Sequence, residues 1–273
     1  MFEKNFRKKL FWLTFFGVLT SCKYLFVSYV FGGLVKNIKL SISFVLLSLF
    51  GQVECMKVAK DFVHWQHAKV LGFKEISEKS YPKTLAYFEM LRLKYPKALK
   101  GVKIVISPVA GPMASSYNIM FPLAWIEELE KETEKTQLVV EWVILHEAGH
   151  IYHSHVAKIV TAQWAALALL AGSYIAISKD NPKYKLSYLQ MFGAYLATSV
   201  VLSIGHIIYS RNLMEPQADD FANELCDNPL AFIEAAKWFD RVAFDGMTHP
   251  PYESRVAKME QAMQAKFGMS LEA

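Results

Sequence analysis

Hydrophobic positions in this chain gather into four blocks, with ordinary polar sequence between and after them. Residues 10–35 carry a single charge, Lys23, and residues 40–53 form a second, shorter block. Residues 159–178 contain no charged side chain, and residues 186–209 contain none apart from His206. A bilayer core takes about 20 apolar residues in helix, so the last two blocks predict two spans joined by a polar loop at 179–185. The first two predict a hairpin turning at 36–39, although Lys23 at mid-bilayer would cost about 3 kcal/mol unless it snorkels or faces protein. The intervening segments read as globular. Residues 56–100, rich in Lys, Glu and aromatics, predict helices broken at Pro82 and Pro96. Residues 101–107 alternate and are β-branched, like a strand; residues 108–112 predict a loop and residues 115–121 a second short strand. Pro122 opens a helix whose Glu127, Glu128, Glu130, Lys131 and Glu132 predict a solvated face. From Arg211 the pattern is helical again, punctuated by Asn228-Pro229 and His249-Pro250-Pro251.

Composition narrows the class. Apolar residues make up 53% of the 273-residue chain, against about 45–50% in soluble domains, which excludes disordered, collagenous and low-complexity classes. Thirty basic residues against 25 acidic leave a net charge of +5. No basic stretch is interleaved with aromatics, so nucleic acid is not an expected partner. Cys22, Cys55 and Cys226 are too few and too scattered for a disulfide framework or a cysteine zinc site. Four crossings return both globular segments to the side of the N-terminus, and Lys4, Arg7, Lys8 and Lys9 favour the cytoplasm for that side. Lys179, Lys183 and Lys185 in the opposite loop pull the other way. A competing reading takes Leu19-Thr20-Ser21-Cys22 as a lipoprotein cleavage box with Cys22 lipidated. Against it, the chain stays apolar to residue 35 instead of opening into a polar tether.

Candidate chemistry sits at the end of the helix that follows. Residues 137–145 are strongly apolar apart from Glu141 and run directly into His146-Glu147-Ala148-Gly149-His150. Residues four apart share a helix face, so both imidazoles can meet one ion. Glu147, one position round, can reach the attacking water as general base without ligating. This is the HExxH pattern of zinc peptidases. Two imidazoles leave zinc short of a third protein ligand. Metzincins supply it six residues after the second histidine, and that position is Val156. A Glu on a later helix is the other common solution, and Glu215 and Asp219, again four apart, follow the last hydrophobic block. One of the two could ligate while the other orients a ligand imidazole.

These motifs together resemble the membrane gluzincins, the HtpX-like heat-shock proteases and CAAX prenyl proteases. The resemblance rests on HEAGH with a further His155, two spans, and then Ser210-Arg211 leading to Glu215-Pro216-Gln217-Ala218-Asp219. It implies a mostly α fold: an α+β zincin-like catalytic domain with a small β-sheet, plus four transmembrane helices. The expected domains are an N-terminal transmembrane hairpin at 1–55, catalytic segments at 56–158 and 210–273, and a second hairpin at 159–209. It implies one zinc ion per chain held by His146, His150 and Glu215, with Glu147 as base and Asp219 supporting a ligand histidine. Ser116, Tyr117 and Asn118, in the strand 115–121, would form the edge to which an extended substrate adds. His249-Pro250-Pro251-Tyr252-Glu253-Ser254-Arg255 is similar to a late His-Pro…Arg element, and His249, Tyr252 and Arg255 are candidates to support the transition state. Pro216 removes a helix donor and clashes one turn back, so the helix presenting Glu215 must start near it or kink.

The expected function is an integral-membrane zinc endopeptidase acting on membrane or misfolded polypeptides. The expected site is a bacterial inner membrane, with the lipid bilayer as partner and the catalytic domain cytoplasmic. The alternatives are a secreted or lipid-anchored periplasmic peptidase of the same chemistry and a non-catalytic membrane scaffold or chaperone whose motif binds metal structurally. A structural zinc site wants four protein ligands and no adjacent Glu, so Glu147 argues against the scaffold. His64 and His67 read as surface histidines, His206 as a hydrogen-bonding residue within a span, and Ser115 and Ser116 lack the Asp–His partners of a serine hydrolase.

Overall fold

The structure is a computed structural model that describes residues 60–61, 64–65, 68–163, 165–166, 188–242 and 249–271. The chain divides into two compact units, Met1–Phe62 with Ala157–Leu202 and Val63–Val156 with Ser203–Ala273. The hairpin expected at 1–55 lies outside the described residues, as does most of the block 159–178. The described part of the block 186–209 forms one long helix, α5 (Tyr188–Tyr209). It exposes Leu196, Val200, Val201, Ile204 and Ile208 but also contains Gln190, Thr198, Ser199, Ser203 and His206. Among the described residues, no helix is long and apolar enough to cross a membrane.

The second unit is mostly helical around a small mixed sheet. A π-helical turn (Ala68–Gly72) leads into β1 (Lys74–Glu75), followed by α1 (Pro82–Lys94) and α2 (Pro96–Leu99). Pro82 and Pro96 open these helices, where a missing N–H costs nothing. Then come β2 (Lys103–Ile106), β3 (Met113–Ala114), β4 (Asn118–Phe121), α3 (Leu123–Glu130) and α4 (Glu134–Tyr152). The strand order is β1-β2-β4-β3. The β2–β4 pair is parallel, with Ile104 opposite Ile119, and the flanking pairs are antiparallel.

This order corrects the expected substrate edge. Asn118–Phe121 is paired on both sides and fully buried. The Tyr117 carbonyl accepts from Lys103 N at 3.2 Å, and Ser115 N donates to the Asn118 carbonyl at 2.8 Å. Ser116, Tyr117 and Asn118 therefore cannot receive a further strand, because their backbone groups lie in the hairpin and the central ladder. The edge is β3.

Helix α4 is buried on every side from Val139 to His150, the pattern of a helix threaded through a core. It packs most extensively on α6 (Glu215–Leu225) and α7 (Pro229–Val242), with Trp142, Phe88, Phe121 and Phe232 among the largest fully buried side chains. Its one carboxylate before the HEAGH motif within that buried stretch, Glu141, is 5% exposed. Glu141 accepts from Tyr95 Oη, from Lys94 Nζ at 2.7 Å and from Asn228 Nδ2 at 2.8 Å. A buried charge persists only when paired and hydrogen-bonded, and three donors meet that demand. Glu130 also departs from the expected solvated face. Its carboxylate accepts from Lys83 N at 3.2 Å and Thr84 N at 3.0 Å, capping the first turn of α1, which has no side-chain cap of its own.

Helices α5 and α6 are joined by a π-helical turn, Ser210–Met214. Pro216 sits in the first turn of α6, and the wider π turn lies where its ring would strike the preceding turn of a regular α-helix. The last helix, α8 (Tyr252–Phe267), is opened by Pro251 and closed by Gly268 at φ 68°, a left-handed stop that glycine adopts without strain.

The approach of α6 to α4 depends on Gly149. A Cβ there would lie 3.0 Å from Ala218 Cα, 3.1 Å from Phe221 Cβ and 3.3 Å from the Ala218 carbonyl oxygen. Gly149→Ala gains about 1 kcal/mol in helix propensity but overpacks against backbone that cannot rotate away, at a cost of about 1–3 kcal/mol. The expected result is a net loss of stability in urea unfolding, together with weaker zinc binding, because the displaced helix carries Glu215.

Candidate metal centre

Three side chains from two helices converge. His146 and His150 are one turn apart on α4, and Glu215 opens α6. Their imidazole Nε2 atoms are 3.2 Å apart. Glu215 Oε2 lies 3.4 Å from His146 Nε2, and Oε1 lies 3.5 Å from His150 Nε2. All three residues are buried, and one ligand atom from each lies within 4.8 Å of the others. Zinc ligands sit about 2.0–2.2 Å from the ion in tetrahedral geometry, so paired donors should be about 3.4 Å apart. The observed separations meet that requirement, and three protein ligands leave the fourth position open, as in catalytic zinc sites.

Electrostatics favour a cation here. Burial alone would discharge His146, but the Asp219 and Glu215 carboxylates outweigh it and raise its pKa to about 10. Glu215 is likewise opposed by burial, yet His146, His150 and His249 hold it well below the usual carboxylate range. Burial, reinforced by His146, pushes His150 down to about 3, so that imidazole stays neutral with a lone pair to offer.

Supporting residues orient the donors. Asp219 Oδ1 lies 2.8 Å from His146 Nδ1, which turns Nε2 toward the cluster. Arg255 then grips Asp219 from behind, with Nε 2.8 Å from Oδ2 and Nη2 2.7 Å from Oδ1. Trp142, four residues before His146, stacks on its ring with centroids 5.6 Å apart, and Trp142 Nε1 donates to Asn223 Oδ1 at 3.0 Å. Glu147 is 8% exposed. Burial raises its pKa to about 7 despite the opposing pull of His146, and the Ala114 backbone N–H on edge strand β3 bonds its carboxylate.

The three late candidates separate in the fold. His249 Nε2 lies 3.3 Å from Glu215 Oε2. The Nε and Nη2 groups of Arg255 are engaged by Asp219, and Tyr252 packs against the hydrophobic core. Reading the sequence alone missed Trp142, the Ala114 amide and Gln217. Nothing in a two-residue strand such as β3 carries a periodic signal.

This geometry sets a direct test of the ligand set. Asp219→Ala, which removes support and not a donor, should weaken zinc about 10–100-fold. Glu215→Ala removes a donor and should weaken it further, with turnover falling in step. Competition with a chromophoric chelator measures both.

No curated protein and no solved structure matches the chain. The sequence profile of Peptidase family M48 matches residues 126–263. That stretch, just over half of the chain, takes in the helix bearing both imidazoles, the helix bearing Glu215, and His249 and Arg255. An intact His146, His150 and Glu215 triad with Glu147 beside it lies within the matched stretch, and the chain is a zinc metalloendopeptidase of peptidase family M48.

Proposed function

We propose that this endopeptidase is anchored in the membrane and cleaves exposed, extended segments of membrane or misfolded proteins. The chemistry rests on one observation: a three-residue cluster that could hold zinc, with a buried carboxylate, Glu147, next to His146 in the helix and within electrostatic reach of His146 and Glu215. Bound zinc supplies Lewis acidity to the scissile carbonyl and to the attacking water. Glu147 takes the water proton on its carboxylate and hands it to the leaving amine, with a pKa near neutrality suited to both transfers. His249, against Glu215 and partly exposed, would support the developing oxyanion. An extended substrate would add to β3, the edge whose Ala114 amide already meets Glu147.

Membrane anchoring is supported by the apolar blocks at 10–35, 40–53, 159–178 and 186–209 and by the exposed apolar residues of α5. Four crossings, as read from the sequence, count α5, which by itself falls short of the length and apolarity of a span, and would put the N-terminus, the HEAGH helix and the C-terminus on the cytoplasmic side of a bacterial inner membrane. Single cysteines, introduced in a background lacking Cys22, Cys55 and Cys226, test this with an impermeant thiol reagent in intact cells. Probes at Lys4 and Ser270 should be protected and one at Asn181 should react; reaction at Ser270 would overturn the topology. The Leu19-Thr20-Ser21-Cys22 box supports a second reading as a lipid-anchored peptidase outside the cytoplasm, which a mature N-terminus at Cys22 would establish. The purified chain should cleave an unfolded membrane protein with zinc and stop when zinc is chelated.

A further inference from the structure

The two ligand histidines are supported differently. His146 Nδ1 faces a carboxylate, that of Asp219. His150 Nδ1 faces another imidazole: His155 Nδ1 lies 2.9 Å away, and His155 Nε2 lies 3.0 Å from Gln217 Oε1. His155 is fully buried. Its position follows from the backbone, because Ser154 adopts φ 56° just beyond α4. A left-handed conformation is unfavourable for a residue that is not glycine, and here it folds the chain back so that residue 155 meets residue 150. The His153 ring stacks on that of His155, with centroids 5.3 Å apart at 14°.

Proton placement along this chain has two consistent solutions. In the first, the Gln217 oxygen accepts from His155 Nε2–H. His155 Nδ1 is then bare and accepts from His150 Nδ1–H, which leaves His150 Nε2 bare toward Glu215 and His146. In the second, the Gln217 amide is turned and donates through its NH2 group. Each proton then shifts by one place, and His150 Nε2 carries a hydrogen where a metal ligand needs a lone pair. Only the first solution makes His150 a donor to metal.

We propose that His155 and Gln217 form a tautomer relay that fixes His150 with its lone pair on Nε2. They are positioning residues for the second zinc ligand, an inference that rests on the His146, His150 and Glu215 triad. Gln217 stands two residues after Glu215 on the same helix, so the docking of α6 that delivers the carboxylate ligand also sets the tautomer of a histidine ligand. The relay is neutral, so the second histidine is oriented without adding charge to a pocket that already holds Asp219 and Glu215.

The test measures zinc affinity of the full-length protein by competition with a chromophoric chelator. His155→Leu and Gln217→Met remove an acceptor at similar volume and should weaken zinc about 10–100-fold, the range for outer-shell partners of a metal ligand. His155→Asn, whose Oδ1 can replace Nδ1 as acceptor, and Gln217→Glu, which keeps an acceptor at the end of the chain, should bind close to the parent. Thermal unfolding in zinc-free buffer checks the fold, and Gln217, only half-buried, supplies an arm that does not disturb the core. The relay is overturned if the His155→Leu and Gln217→Met variants bind zinc as the parent does. It is equally overturned if His155→Asn is as weak as His155→Leu, which would reduce His155 to packing. A parent chain that binds no zinc would instead defeat the triad, and the relay with it.

Discussion

Glu147→Gln should leave zinc bound at one ion per chain and lower peptide-bond cleavage about 10²–10⁴-fold, the usual range for a positioned acid–base group. The two readouts part because Glu147 stands outside the triad of His146, His150 and Glu215. Glutamine keeps the size of the side chain and an oxygen that can accept the Ala114 amide, so the fold has no reason to change. What it loses is a group that can hold a proton. Burial raises the Glu147 pKa to about 7, so the native carboxylate is basic enough to take a proton from water and acidic enough to return it to an amine near neutral pH. Metal content by elemental analysis, with kcat on an unfolded polypeptide, checks both halves. A purified variant that retains full cleavage would end the assignment of Glu147 as base.

Arg255→Met should cost about 3–5 kcal/mol of stability, the range for breaking a buried ion pair by removing one partner. Both Arg255 and Asp219 are buried, and their contact is bidentate. Methionine fills much of the space and keeps contact with Phe239, over whose ring the guanidinium now lies at 4.2 Å, but it leaves the Asp219 carboxylate without its fork. Lysine offers a point charge in place of two parallel donors and should restore little. The pH dependence has a fixed sign. Burial opposes the Asp219 charge, but Arg255 and His146 hold its pKa below the ordinary 3.8. The stability this contributes is present above that value and lost as pH falls through the depressed pKa. Urea unfolding without zinc should therefore show the full difference between variant and parent at pH 7, and convergence in acid as Asp219 takes up a proton. A gap unchanged on acidification would mean that the loss is one of packing.

The local part of the catalytic site was legible because it obeys helix geometry. His146, Glu147 and His150 lie within one short stretch of helix, and a 3.6-residue turn puts the two imidazoles on one face whatever the rest of the chain does. The breaks at Pro82, Pro96, Pro122 and Pro229 were legible for the same kind of reason, since a ring that fixes φ and removes an N–H acts on its own turn. Pro216 announced a disturbance beside Glu215, and a π-helical turn at Ser210–Met214 stands there. The sequence could not say whether that disturbance would be a start, a kink or a widened turn, because the choice depends on what the helix packs against.

Errors fell where long-range pairing decides. Residues 115–121 have the composition of a strand, but whether a strand is an edge depends on its neighbours, and Asn118–Phe121 has β2 on one side and β3 on the other. Glu130 looks solvated in its own helix and becomes a cap only because the first turn of α1 lies against it. Glu141 interrupts an apolar helix in the sequence; in the fold, Tyr95, Lys94 and Asn228 arrive from elsewhere to satisfy it.

What the sequence determined by itself was therefore the pair of imidazoles, the carboxylate between them and the apolar blocks, all set by spacing along the chain. Spacing alone left open which carboxylate completes the triad; the family resemblance named Glu215, and the tertiary structure bears it out. Glu215 and Asp219 are equally spaced for either role in sequence, and the docking of α6 against Gly149 puts Glu215 between the two Nε2 atoms and Asp219 behind one Nδ1. The same docking brings Gln217 to His155. Those contacts join residues far apart in the chain, and only the close approach of two helices, permitted where a side chain is missing, brings them within reach of one another.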